Sequence, residues 1–440
     1  MRTRRDVMRS LLALGAVSAS YPLVPGCGAR ATDAGGSLLA ADVSRGPGDA
    51  GAQAEAVQAV QALTADLYRR VAAEPGNVVC SPYSVAVALA MTRNGARGET
   101  ATEMDDVLSA PPLDRFNTGL NALTRLIDSR AGRQRRADGS RATISLDVAN
   151  SLWGQHDTAW EPAFLDALAR HYGAGMRLVD YQADSESARA LINQWTAAKT
   201  HDRIPEIVPP GVLDALTRLV LVNAIYLKAP WAEPFEVAST EPGAFIRADG
   251  SRVETQMMHA TLESASYARG PGWQAARLPY AGEQLAMTIV VPDQSDLADL
   301  ERSLTGPELT RALTTSRPVG PLRLTMPRWE FRLASSLNEH LIDLGMPTAF
   351  DDVRADFSGM TTEERLSISA VLHEAFIAVD EKGTEAAAAT VVVMRAESAP
   401  ANPVAPVVLD ADRAFLFVVH DVDTATPLFI GRVDDPNAAA

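Results

Sequence analysis

The chain has 440 residues, 47% hydrophobic and 22% charged, which suffices for a large buried core and excludes wholesale disorder. Asp and Glu outnumber Lys and Arg by 55 to 40, and the net charge of −15 excludes the basic footprint that nucleic-acid binding requires. Two cysteines, Cys27 and Cys80, cannot form a disulfide framework or a cysteine-rich metal site.

Residues 1–26 read as an address. Arg2, Arg4, Arg5 and Arg9 precede the apolar stretch Leu11–Ala19, the layout of an export signal and too short to span a bilayer. Thr3-Arg4-Arg5-Asp6-Val7-Met8 is similar to a twin-arginine signal. Leu23-Val24-Pro25-Gly26-Cys27 is similar to a lipobox, although Pro25 stands where a small residue is usual. Cys27 is therefore the expected lipidation site. Residues 27–54, rich in Ala, Gly, Asp and Ser and without periodicity, are expected to be a flexible tether.

Helical periodicity begins at Ala54, with Ala56, Val57, Val60, Leu63, Leu67 and Val71 on one face. Glu74-Pro75-Gly76-Asn77 predicts a turn and Val78–Cys80 a short buried strand. Ser81 can cap a helix whose first turn tolerates Pro82; Tyr83–Arg93 is apolar nearly all round and predicts an interior helix. Thr100–Leu108 predicts a further helix, and the basic stretch Arg130–Arg141 an exposed loop. Strands are expected at Ile144–Trp153, Arg218–Lys228, Leu285–Val291, Leu322–Phe331, His373–Val379 and Phe415–Val419, several with the continuous apolar runs of strands buried on both faces. Helices are expected at Trp160–Tyr172, Ser185–Lys199 and Leu333–Leu344. With helices early and strands late, the pattern predicts one α+β domain.

Enzyme motifs are missing. The seven histidines form neither H-x-x-x-H nor H-E-x-x-H, and there is no G-x-S-x-G elbow, phosphate-binding loop or dinucleotide fingerprint. Ser81, Ser84 and His373 can be imagined as a hydrolase pair, but a capping Ser and a His opening an apolar strand are the ordinary furniture of a core. No metal site or cofactor is expected.

The unusual segment is Asp380–Ser398. Glu385–Ala389 favours helix by propensity and Thr390–Val393 favours strand. Pro400, Pro403 and Pro406 then force an extended, exposed path that proteases can reach.

Here the chain resembles the serpin family, and the resemblance runs in family order over residues 55–436. Asn77–Ser84 with Leu89-Ala90-Met91 and Gly95–Thr100 is similar to the first family signature. Leu219–Lys228, Trp231 and Pro234-Phe235 are similar to the central strand and the turn after it. Leu278-Pro279-Tyr280 and Val290–Asp293 form a third block, and Met326–Trp329, Leu344-Gly345-Met346, Ala349-Phe350 and Asp356–Met360 a fourth. Phe415-Leu416-Phe417, Phe429–Val433 and Pro436 resemble the C-terminal signature. One departure is His201-Asp202-Arg203-Ile204, where the family usually has a Gly-Lys-Ile string. It is expected to alter a surface turn and not the mechanism.

The resemblance implies a serpin fold over residues 55–440, with helices packed around three β-sheets and an exposed reactive-centre loop. It also implies a function: a suicide inhibitor of serine proteases, and sometimes cysteine proteases, rather than an enzyme. The cleaved loop would enter the central sheet and trap the acyl-enzyme. A non-inhibitory binding protein on the same fold is the alternative. Insertion has period two, so Thr384, Ala386, Ala388 and Thr390 are expected to face the core, with Glu385 and Ala387 facing solvent and Gly383 at the bend. Ala389 completes the small-residue hinge. Glu381 resembles the acidic residue at the loop base that pairs with a base. Ser81, Ser84, Asn223 and His373 resemble the polar cluster that controls sheet opening, and Trp231 the aromatic where insertion begins. Family spacing from Gly383 sets the reactive bond at Glu397–Ser398, with Arg395–Ala396 as the alternative. The expected partner is a target protease in covalent complex with a monomeric inhibitor, exported and lipid-anchored at the cell envelope or extracellular.

Overall fold

The computed structural model describes residues 31–33, 36–293, 297–385 and 405–438. Cys27, Ala386, Ala387, Ala388, Ala389, Thr390, Arg395, Ala396, Glu397 and Ser398 lie outside the described residues. Three sheets of nine, seven and four strands are formed by the described residues, with helices packed around them.

The helix Ala50–Val71 starts four residues before the apolar periodicity does, because the Asp49 carboxylate accepts the Gly51 amide and caps it earlier. Its predicted face, Ala56, Val57, Val60, Leu63, Leu67 and Val71, is buried. Pro82–Arg93 is an interior helix with Ser81 as its cap, and Pro82 to Thr92 are all buried.

The expected tether is instead laid onto the body from Gly36 onward. Gly36–Leu39 pairs antiparallel with the strand Met176–Val179, the Gly46 amide donates to the Arg170 carbonyl at 2.8 Å, and Arg45 donates to Asn121 at 2.8 Å. Gly48, at φ 79°, passes so close to Ala122 that a Cβ would lie 2.6 Å from its nitrogen. Composition missed this docking because the backbone finds its partners on a sheet edge distant in sequence.

Other boundaries shift for similar reasons. Arg130–Arg141 is no loose loop: Gly132–Arg135 pairs back on the strand Arg141–Gln155, and Arg130 is buried between Asp421 and Asp423. The predicted strand Leu322–Phe331 breaks at Arg328 into Leu322–Pro327, in the four-stranded sheet, and Trp329–Ser336, in the nine-stranded one. The predicted helix Leu333–Leu344 shrinks to Asn338–Leu344, since Leu333–Ser336 continues that second strand.

Two neighbouring strands of the central sheet matter most for the site, Leu219–Pro230 and Ala370–Asp380. Both are buried almost throughout, which explains why they are mostly apolar apart from Asn223, Lys228, His373, Glu374 and the terminal Asp380. Their odd-numbered residues, such as Leu221, Ile225, Leu227, Val371, Ala375 and Ile377, face the main core. The even ones, Val220, Val222, Ala224, Ala370 and Leu372, face a second, smaller core under the helix Tyr181–Lys199, where Trp153 and Trp195 meet edge-on at 5.8 Å.

Candidate functional site: a slot in the central sheet

The two strands are parallel and pair directly from Val220↔Ala370 to Ile225↔Ala375. Above that point they part, and Gly383–Thr384 lies between them, antiparallel to both. Gly383 pairs with Pro230 and Asp380, and Thr384 with Ala229 and Val379. The strands are thus the two walls of a slot whose upper end already holds two residues of the segment that leaves it.

Local chemistry fixes that entry. The Asp380 carboxylate accepts the amides of Lys382 and Gly383 at 2.7 and 3.2 Å and folds the turn. Gly383 has φ 149°, and a Cβ there would lie 2.3 Å from the Ala229 carbonyl oxygen, so only glycine fits. Thr384 is 2% exposed, faces the core, and its hydroxyl meets the Tyr280 hydroxyl at 2.6 Å. Tyr280 stacks on Trp231 at 4.7 Å, and the Trp231 indole donates to the Asp380 carbonyl at 3.0 Å. Glu381 is buried. Burial alone would raise its pKa, but hydrogen bonds from Arg328 and Thr240 outweigh that and hold it below the usual carboxylate value. Its basic partner is therefore Arg328, the residue at which the predicted strand breaks.

The polar cluster sits lower, where the walls pair directly. His373 lies opposite Asn223. Its Nε2 accepts the Ser81 amide at 3.0 Å, so the proton resides on Nδ1, which donates to the Asn223 side-chain oxygen. Asn223 donates to the Ser84 hydroxyl at 2.6 Å and to Asn150; Ser84 donates to Asn150 at 2.9 Å. Burial depresses the His373 pKa to about 4, so the ring is neutral at pH 7. Neither serine hydroxyl contacts the imidazole, and the hydrolase arrangement is therefore not formed.

Asn150, the hub of this network, was missed from sequence; it is the one amide in Ile144–Trp153, among the polar residues Ser145, Asp147 and Ser151. Trp231 does not belong to the cluster. It lies eight residues further along the same wall than Asn223, roughly 26 Å away at strand rise. Ser81, Ser84, Asn223 and His373 come together, while Trp231 joins Glu381, Gly383 and Thr384 at the entry.

Glu385 also departs from expectation. Its side chain is 12% exposed, and it accepts from Arg203 Nε at 2.7 Å rather than facing open solvent. Cys80 is a buried free thiol, pushed up to about 12 by burial and inert. Among the described residues no group of three or more His, Cys, Asp or Glu could hold a metal ion, and no helix is long and apolar enough to cross a membrane.

Residues 58–436 match the family model described as Serpin (serine protease inhibitor). The chain belongs to the serpin family. It is 35% identical over 387 residues to an uncharacterized serpin-like protein of Thermococcus kodakarensis, covering 88% of this chain and 87% of that one. Human Serpin B8 is 36% identical, covering 82% of this chain and 93% of its own. Human leukocyte elastase inhibitor is 32% identical with the same coverage. Among solved structures, the native state of the thermophilic serpin tengpin superposes with a TM-score of 0.77 at 27% identity, covering 90% of this chain and 97% of tengpin. The serpin fold, with helices around three sheets, is thus established for this chain. Serpins are protease inhibitors and generally not enzymes.

Proposed function

We propose that this serpin is a suicide inhibitor of serine proteases, and of some cysteine proteases, acting by insertion of its cleaved loop into the slot. The observation that carries the reading is the match between loop and walls. The register at Gly383 and Thr384, continued one residue per step, would set most of the loop's apolar residues against apolar wall positions and Thr390 against polar ones. Ala386 would meet Leu227 and Ile377, and Ala388 would meet Ile225 and Ala375, all on the main-core face. Ala387 would fit between the large rings of Tyr226 and Phe376. Thr390, the one polar residue deep in the segment, would meet Asn223 and His373. Val391, Val392 and Val393 would fall against Val222 and Leu372, Leu221 and Val371, and Val220 and Ala370.

The chemistry follows from that match. The protease nucleophile attacks the Glu397 carbonyl, the bond to the Ser398 nitrogen breaks, and the leaving amine takes a proton. The freed loop end can then separate the walls. One direct ladder between Val220–Ile225 and Ala370–Ala375 is replaced by two, and three valines are buried at about 2 kcal/mol each. The acylated protease is carried along. Glu397–Ser398 is the proposed bond, with Arg395–Ala396 as the alternative; Cys27 is the proposed lipid anchor of an exported monomer.

Incubation with a protease panel tests the reading. A band that survives boiling in detergent is the expected result, and cleavage without one would favour the non-inhibitory alternative.

A further inference from the structure

The connection after the helix Tyr181–Lys199 lies on the outer face of the central sheet, above the slot entry. His201 and Asp202 both have left-handed backbones, φ 52° and 61°, unusual for residues with side chains. His201 Nε2 lies 3.1 Å from Asp147 Oδ2, and its ring is 4.6 Å from that of Tyr226. Ile204 is fully buried in the smaller core. Arg203, between these anchors, sets its guanidinium 5.3 Å from the Phe376 ring centre and ion-pairs Glu385.

Glu385 is held in a conformation that insertion must undo. Its amide donates to the Ala378 carbonyl at 2.8 Å, but its φ is 47°, where an antiparallel strand residue needs about −140°. Continuing the register by one step from Thr384 sets Glu385 opposite Lys228, on the same outer face. In an inserted strand, continuing by three would set Ala387 between Tyr226 and Phe376, on the face that Arg203 covers.

We propose that Arg203 is a gating residue for loop insertion, holding Glu385 in its turned form and covering the place Ala387 must enter, and that insertion passes the Glu385 carboxylate from Arg203 to Lys228. This rests on the insertion reading above. Before insertion the ion pair favours the turned loop. Afterwards the cross-strand pair with Lys228 favours the inserted one, since opposite charges directly across an antiparallel pair attract.

The test needs no target protease. The intact full chain is held at elevated temperature, and the half-time for appearance of a heat-resistant, loop-inserted form is measured. Arg203→Ala is expected to shorten the half-time about two- to fivefold, the range for a half-exposed ion pair. Arg203→Lys should restore most of the delay, and Lys228→Ala should lengthen the half-time. A residue that merely supports the fold would lower native heat stability without producing these opposite signs. An unchanged or longer half-time in Arg203→Ala, or an unchanged one in Lys228→Ala, overturns the gate. Cleaving the wild-type loop with a non-target protease separates the two readings. If cleavage yields no heat-resistant form, insertion itself fails and the gate fails with it.

Discussion

Thr390→Arg probes the slot where its chemistry is most demanding. In the inserted strand residue 390 would face Asn223 and His373, which are fully buried and already bonded to Ser81, Ser84 and Asn150. No carboxylate belongs to that network, and its imidazole resists protonation down to about pH 4. An arginine there would be a buried charge without a partner, costing about 3 kcal/mol or more. If that cost falls on the insertion barrier, insertion slows about 150-fold while deacylation is untouched. The variant should then be cleaved as a substrate, with many inhibitors consumed per protease inactivated. Titrating residual protease activity against inhibitor gives the stoichiometry. Thr390→Ala keeps the small side chain and should stay close to wild type. A Thr390→Arg stoichiometry equal to wild type would refute the assigned register. Thr384→Arg is a poorer probe, because Thr384 is buried against Tyr280 before any cleavage.

Three further outcomes are expected. His373 and His420 are buried with pKa values depressed to about 4, so between pH 6.5 and 4 the unfolded chain binds protons that the native chain does not. Stability is present above about pH 6.5 and is lost as pH falls, by roughly 3 kcal/mol at most per ring. Glu374, raised to about 7 by burial, opposes this, so Glu374→Gln should steepen the acid loss in urea titrations across pH 4–7, and a shallower loss would contradict the assignment. Arg130→Ala strands the fully buried Asp421 and should cost about 3–5 kcal/mol by urea denaturation; a loss below about 1 kcal/mol would show the pair to be dispensable. Cys27→Ala should move the protein from membrane to soluble fractions, and the anchor is wrong if both forms are soluble.

The walls of the slot were legible in the sequence as Arg218–Lys228 and His373–Val379, because strands buried on both faces are rich in apolar residues; the strands run Leu219–Pro230 and Ala370–Asp380, so the start of the second was missed. The glycine at the bend was legible too, since Gly383 is required by a backbone approach that no side chain tolerates. What escaped depended on partners far away in the chain. Gly36–Leu39 is docked on the body because the edge at Met176–Val179 receives it. Arg130 lies in a basic stretch yet is buried, because two aspartates near the C-terminus neutralise it. Thr384 faces inward as period two expects, but Glu385 does not face solvent, because Arg203 covers it and its backbone turns out of the strand. Asn150 hid among the polar residues Ser145, Asp147 and Ser151 of its strand, and only the neighbouring strand, which brings Asn223 beside it, singles it out.

Insertion itself is tested most directly by following one cleavage with two readouts. The inhibitor is mixed with a glutamate-preferring and with a trypsin-like serine protease; the products are boiled in detergent and resolved, and the released C-terminal peptide is weighed. An acyl-enzyme ester survives boiling in detergent, so a complex of inhibitor plus protease is expected, with a peptide beginning at Ser398, or at Ala396 if Arg395 occupies the specificity pocket. Cleavage at either bond with no detergent-stable complex, and no gain in heat resistance of the cleaved chain, would contradict trapping by insertion.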